Sequence, residues 1–254
     1  ALAAALGADV CEIYTDVEGV YTADPRIVPE ARRLSRVSFD EMLEMAATGG
    51  RVLALRSVEF ARNHGVRVHV RSSFTWAPGT WITEEADVTD ATASMEQAII
   101  SGVTHDVSEA KVTIERLPDR PGVAAGVFRA LADAGVNVDM IVQNVSTAGL
   151  TDISFTVPRA DLFKATQCVE RIEELTGASG FRTDERIGRV SLIGAGMKTH
   201  PGIAAKMFEV LAAEGVNIEM ISTSTIRVSC VVAEPDVERA VRALHAAFAA
   251  ELAR

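Results

Sequence analysis

The sequence predicts a chain of two characters: an α/β stretch up to about residue 83, then two small α+β units in the β-α-β-β-α-β order of the ferredoxin-like fold. Two observations carry this. Over residues 8–83, short strand-like runs take turns with segments of helical apolar spacing. Beyond residue 110, one supersecondary pattern occurs twice in unbroken register: Pro121, Gly122, Phe128, Leu131, Gly135, Asn137, Met140 and Ile141 have identical counterparts in Pro201, Gly202, Phe208, Leu211, Gly215, Asn217, Met220 and Ile221.

Composition narrows the function classes. The 254 residues are 48% hydrophobic, with no uninterrupted apolar span long enough for a membrane helix. A net charge of -10 disfavours nucleic acid, whose phosphates draw on clustered Lys and Arg. Cys11, Cys168 and Cys230 lack metal spacing and read as buried thiols of a reducing, cytoplasmic compartment. The five histidines also lack ligand spacing, so no metal site is expected on protein ligands alone.

Residues 1–7 read as an Ala-rich helix tail closed by Gly7, without the basic start of a signal peptide, so the chain is expected to begin inside a domain. Residues 8–14 alternate as a strand. Residues 15–26 form a turn-rich loop at that strand's carboxyl end, where α/β folds gather ligands. There Arg26 can fork onto phosphate oxygens and Tyr21 offers a flat face with a hydroxyl; alternatively Asp16 and Asp24 cap turns while Arg26 covers surface. Ser38, Glu41 and Gly49 bracket a helix with a capping-box start and a glycine stop. Gly50-Arg51 is expected to open the next helix, 52–64, followed by a strand at 66–71. In the closing strand and loop, Trp76 and Trp81 are read as packing residues. Residues 84–94 are polar, acidic and aperiodic, which marks a linker.

In the first repeat, strands are expected at 111–117, 138–145 and 151–157, with helices from the Pro121-Gly122 turn to Gly135 and over 162–175. The proline is placed at the first helical position, where its missing N–H costs nothing. The second repeat predicts strands at 189–195, 218–223 and 226–233, and a last helix over 236–248. A further strand at 98–104 belongs to neither repeat, while the second repeat lacks a final strand. The economical solution is that the early strand completes the late unit, with the first unit inserted inside the second.

The tandem pattern resembles the ACT domain, a small amino-acid-binding regulatory module. Asp119-Arg-Pro-Gly122, Asn137-Val-Asp-Met-Ile-Val-Gln-Asn-Val-Ser146, Gly194-Ala-Gly-Met-Lys-Thr-His-Pro-Gly202 and Asn217-Ile-Glu-Met-Ile-Ser-Thr-Ser224 together resemble the regulatory half of the aspartate kinases. Residues 15–26 resemble the nucleotide loop of the amino-acid kinase family. The resemblance divides the chain into the C-terminal part of a kinase domain (1–83), a linker (84–95), a first ACT domain (110–184) and a second (96–109 plus 185–254). It implies transfer of the γ-phosphoryl group of ATP, with Mg²⁺, to the side-chain carboxylate of L-aspartate. Thr15, Asp16, Tyr21 and Arg26 are then the nucleotide contacts. Arg51 joins them where the family usually has lysine, keeping the charge but with a larger planar head. The family's catalytic Lys-Phe-Gly-Gly-Thr-Ser motif and its Gly-rich segment do not occur here, so no catalytic residue is assigned. A non-catalytic, amino-acid-sensing regulatory subunit or fragment is the alternative. Met95 stands where some relatives start such a subunit, and is otherwise an ordinary methionine. An ACT-bearing oxidoreductase is disfavoured, since no Gly-x-Gly-x-x-Gly precedes a helix.

L-threonine and L-lysine are the effectors the resemblance implies. The helix start at Pro121-Gly-Val-Ala124 is expected to offer backbone N–H groups and a positive dipole end to an effector carboxylate. Asp119 and the segment Asn137, Val138, Asp139 supply oxygens for its ammonium, and Gln143 reaches a side-chain hydroxyl; alternatively Asp119 only caps the helix and Asn137 only turns the chain. The resemblance also implies that Ile203, Asn217, Ile218 and Ser224 line the companion part of the site. A homodimer or hetero-oligomer through the ACT sheets is expected.

Overall fold

The computed structural model describes residues 1–84, 100–144, 148–176 and 178–252. The expected linker, apart from Glu84, lies outside them, as do Met95 and the first residues of the strand expected at 98–104. The chain divides into two compact units, one of residues 1–106 with 189–254, the other of residues 107–188.

In the first unit, a short helix α1 (Leu2–Ala5) leads to β1 (Val10–Thr15), β2 (Arg36–Ser38), α2 (Phe39–Ala47), α3 (Leu55–Asn63), β3 (Arg67–Ser72) and β4 (Thr80–Thr83). The sheet order is β1-β3-β4-β2, with β1 parallel to β3 in the register Thr15↔Ser72. The capping box forms as read: the Ser38 side chain accepts from Glu41 N, and the Glu41 carboxylate takes the Ser38 N–H. The next helix starts later than expected. Gly50 N–H closes onto Met45 O at 2.7 Å, a turn follows, and only Ala54 caps α3, so Arg51 stands on the connection and not on a helix. Trp76 is 95% exposed, against the packing role expected of it, because it sits on the loop before β4 with no sheet face to cover. Trp81, on β4, does pack, stacking 3.9 Å from the His69 ring.

Also in this unit, β5 (Gly102–Asp106), β10 (Ile187–Ile193), α6 (Ile203–Ala213), β11 (Met220–Thr223), β12 (Arg227–Ala233) and α7 (Val237–Ala247) build a sheet of order β11-β12-β10-β5. β5 lies antiparallel to β10, from Arg189↔Asp106 to Ile193↔Gly102. β10 ends two residues short of the expected 195, where Ala195–Thr199 turn into a 3-10 segment. The fully buried Ile193 packs with Leu34, Met42, Met45 and Ile82, so both sheets share one core.

The second unit holds β6 (Glu109–Pro118), α4 (Val123–Asp133), β7 (Ile141–Gln143), β8 (Leu150–Pro158), α5 (Leu162–Thr176) and β9 (Gly180–Asp184) in the sheet order β7-β8-β6-β9. This is the same arrangement as the other sheet, with β9 in the place β5 takes there. Val112, Ile114, Val127, Leu131, Phe155 and Val169 fill its core, and Phe128 meets Phe155 edge-on at 5.7 Å. Burying one such side chain contributes about 1.5–3 kcal/mol. Helix α4 ends as expected: Gly135 (φ +69) and Val136 return N–H bonds to Ala132 and Leu131. Its start differs from the reading. Gly122 (φ +95) is the N-cap and Pro121 stands one residue outside the helix, as Gly202 (φ +97) and Pro201 do before α6. The glycine's left-handed backbone sets the entry, and the proline stiffens the approach to it.

Candidate functional site

Two places on the chain gather the residues singled out by sequence. The first is the carboxyl end of β1. Thr15 Oγ1 donates to Asp16 Oδ1 at 3.0 Å. The Arg26 guanidinium forks onto Asp24, with Nη2 2.7 Å from Oδ2, and that bonding holds the Asp24 carboxyl below its ordinary range. Tyr21 is half-buried and bridges to Arg33, while burial and then Glu18 push its phenol pKa up. Arg51 reaches to 3.7 Å from Asp106. His105, which sequence reading passed over, lies in the field of Asp24, Asp106, Arg26 and Arg51, so strand β5 shares the neighbourhood of both cationic candidates. Burial lowers the His105 pKa, opposed by the two acids.

The loop after β1 is also tied to β5 and α7. Thr22 is fully buried; its carbonyl accepts Val103 N–H at 2.7 Å, and its hydroxyl lies 2.9 Å from His245 Nε2 and 3.0 Å from Arg32 N. Helix α2 adds a polar row at three- and four-residue steps. Glu41 takes Ser101 Oγ and Ala195 N, Glu44 takes Ser224 Oγ and Arg227, and Thr48 meets Thr104.

His245 is a pH-sensitive member of this contact. Burial lowers its pKa from 6.5, Arg32 pushing the same way and Glu30 against. The unfolded chain therefore takes up the proton first, so this contribution to stability is fully present above pH 6.5 and drains as pH falls toward the folded pKa. His105 acts with the same sign. The urea midpoint is expected to fall between about pH 7 and 5, and His245→Gln to flatten that fall. An identical slope in the variant would contradict the assignment.

The second place is a cavity of about 330 Å³ in the unit of residues 107–188, lined by Asp119, Arg120, Gly122, Val123, Ala124, Gln143, Thr151 and neighbours. It sits at the start of α4, whose first-turn N–H groups have no intrahelical acceptor. Asp119 is held by its own N–H on Gly149 O at 2.8 Å. The cavity brings Asp119, Ala124 and Gln143 together. Asn137, Val138 and Asp139 do not line it: they follow the far end of the eleven-residue helix, about 16 Å from its start. In the other unit, Ser224 lines a second cavity of about 380 Å³ with Asp40, Glu44, Glu59 and Lys198, and Ile203, Asn217 and Ile218 are not among its walls.

Family models match at three segments: the amino acid kinase family over residues 1–72 and the ACT domain over 112–177 and 190–248. The aspartokinase of Mycobacterium tuberculosis (strain H37Rv) is 56% identical over 253 residues, 98% of this chain. The chain belongs to the aspartokinase family. It spans 58% of the length of that relative. Among solved structures, it is similar to Escherichia coli aspartokinase III in complex with aspartate and ADP, at 27% identity and a TM-score of 0.81, covering 97% of this chain and 54% of that one. It also resembles the regulatory subunit of aspartate kinase from Thermus thermophilus, at 38% identity and a TM-score of 0.57 over 60% of this chain and 99% of that one. The five residues expected to contact nucleotide, Thr15, Asp16, Tyr21, Arg26 and Arg51, all lie within the segment that matches the amino acid kinase family. Asp24, read as a turn cap, does take the Arg26 N–H at 2.9 Å; His105 and Asp106 are the neighbours that sequence reading missed. Nothing in the local pattern marks them, since His105 and Asp106 arrive from a strand far along the chain.

Proposed function

We propose that this chain works within an enzyme that transfers the γ-phosphoryl group of MgATP to the side-chain carboxylate of L-aspartate, and that its ACT domains sense L-threonine and L-lysine. Residues 1–83 contribute the nucleotide loop, with Thr15, Asp16, Tyr21, Arg26 and Arg51 toward ATP. Mg²⁺ accompanies ATP as its phosphate-bound counterion in this reading. Residues 110–184 form the first ACT domain, and 96–109 with 185–254 the second. The ACT sheets associate as a homodimer or hetero-oligomer. In support, the edge strands β7 and β11 expose Ile141 and Ile221 at 51% and 43%. Three free cysteines suit the cytoplasm, and no helix among the described residues is long and apolar enough to cross a membrane.

The observation that carries the sensing role is the cavity at the start of α4. An amino acid there sets its carboxylate on the helix N–H groups and its ammonium on Asp119, leaving Gln143 and Thr151 for a side-chain hydroxyl. Losing a charge-assisted hydrogen bond costs about 1.5–3 kcal/mol. Asp119→Ala is therefore expected to weaken threonine binding about 10- to 100-fold. Asp119 is exposed and turned from the core, so the melting temperature stays near that of the parent. Calorimetric titration of both proteins checks this, and equal affinities would remove Asp119 from the site.

A further inference from the structure

Asp106 closes β5 between two guanidinium groups. Its Oδ1 lies 3.7 Å from Arg51 Nη2, and its Oδ2 lies 3.7 Å from Arg189 Nη2. The two arginines differ in kind. The Arg189 side chain is 2% exposed and that of Arg51 is 75% exposed. Arg189 also donates to Ala47 O at 2.9 Å, at the end of α2. The next residues are moored in turn: the Thr48 and Thr104 hydroxyls meet at 2.6 Å, and Gly49, at φ +105, runs so close to the His105 carbonyl that a Cβ would lie 1.8 Å from it. The short connection that carries Arg51 is thus fixed to β5 and β10 just before the arginine leaves it.

We propose that Asp106 is a positioning residue of the nucleotide site, holding the Arg51 guanidinium in the direction from which it meets the phosphates of a nucleoside triphosphate. This rests on the reading of Arg51 as a phosphate contact. An arginine so exposed has many rotamers, and its one ion pair among the described residues, at 3.7 Å, favours one of them while leaving N–H donors of the guanidinium turned to solvent. Arg189 has two effects. It fixes the Asp106 carboxylate from the buried side, and its positive charge offsets the repulsion that an isolated carboxylate would exert on phosphate. Asp106 lies beyond the segment that matches the amino acid kinase family, so the group that aims a kinase-segment arginine comes from the strand paired with β10.

The test is calorimetric binding of a non-hydrolysable MgATP analogue to the protein with a complete kinase domain. Asp106→Asn is expected to weaken binding about two- to fivefold, the range of a partly exposed ion pair. Asp106→Glu recovers most of the loss, and KM for aspartate stays unchanged in both. Arg51→Ala weakens binding at least as much. The double variant Asp106→Asn/Arg51→Ala binds no more weakly than Arg51→Ala alone, because Asp106 acts only through Arg51. Additive losses, or normal binding by Asp106→Asn beside weakened Arg51→Ala, overturn the positioning role and leave the nucleotide reading standing. Parent-like binding by Arg51→Ala overturns both. A general folding fault in Asp106→Asn would show as additivity and as a raised KM for aspartate, which also counts against the proposal.

Discussion

Replacing Gly49 by alanine is expected to cost the unit of residues 1–106 and 189–254 about 3–5 kcal/mol. Two effects add. At φ +105 an L side chain is strained whatever the space around it. The new Cβ would also lie 1.8 Å from His105 O and 2.7 Å from its carbonyl carbon, and these are backbone atoms of a paired strand that cannot swing aside. Gly65 provides the control. It too has positive φ, +63, but nothing lies within 4 Å of where its added methyl group would stand, so Gly65→Ala should lose only about 1–2 kcal/mol. Urea midpoints of the two variants against the parent decide this. Equal losses would mean that the approach of Gly49 to β5 carries no energy. Since a domain of this kind is stable by only about 5–15 kcal/mol, the larger loss leaves little margin.

The contrast between these glycines shows where the sequence is legible. A glycine that stops a helix announces itself by the spacing before it, and Gly49 and Gly135 are readable in that way. What Gly49 touches was not readable, because His105 is brought to it by the pairing of β5 with β10. The repeat was legible for the same local reason: twelve identities in register between 121–141 and 201–221 force two copies of one sheet, and both sheets have the same strand order. Boundaries set by competing hydrogen bonds were less so. The late start of α3 follows from Gly50 bonding back to Met45, which no propensity encodes. The candidate effector residues divide on similar lines. Asp119 and Ala124 are neighbours along the chain, and Gln143 returns beside them as the edge strand runs back, whereas Asn137 to Asp139 lie a helix length away.

Glu41→Ala is expected to lose about 3–5 kcal/mol, because a single carboxylate, 7% exposed, accepts from four donors. Two bonds are local: Ser38 N at 3.2 Å and Ser38 Oγ at 2.8 Å close the capping box of α2. The other two are long-range. Ser101 Oγ at 2.5 Å leads into β5, and Ala195 N at 2.9 Å lies just after β10. Alanine would leave these donors without an acceptor in a site closed to most water, and each orphaned donor costs about 1–3 kcal/mol. Two milder variants separate the contributions. Ser38→Ala removes only the cap and should cost about 1 kcal/mol. Glu41→Gln keeps the shape and one acceptor oxygen but turns an NH₂ toward groups that themselves donate, so it should fall between the other two. The order Glu41→Ala, Glu41→Gln, Ser38→Ala in decreasing loss can be read from denaturant midpoints. If Glu41→Ala cost no more than Ser38→Ala, Glu41 would be a helix cap alone, and its bonds to Ser101 and Ala195 would contribute nothing to holding the kinase-family sheet against the ACT sheet.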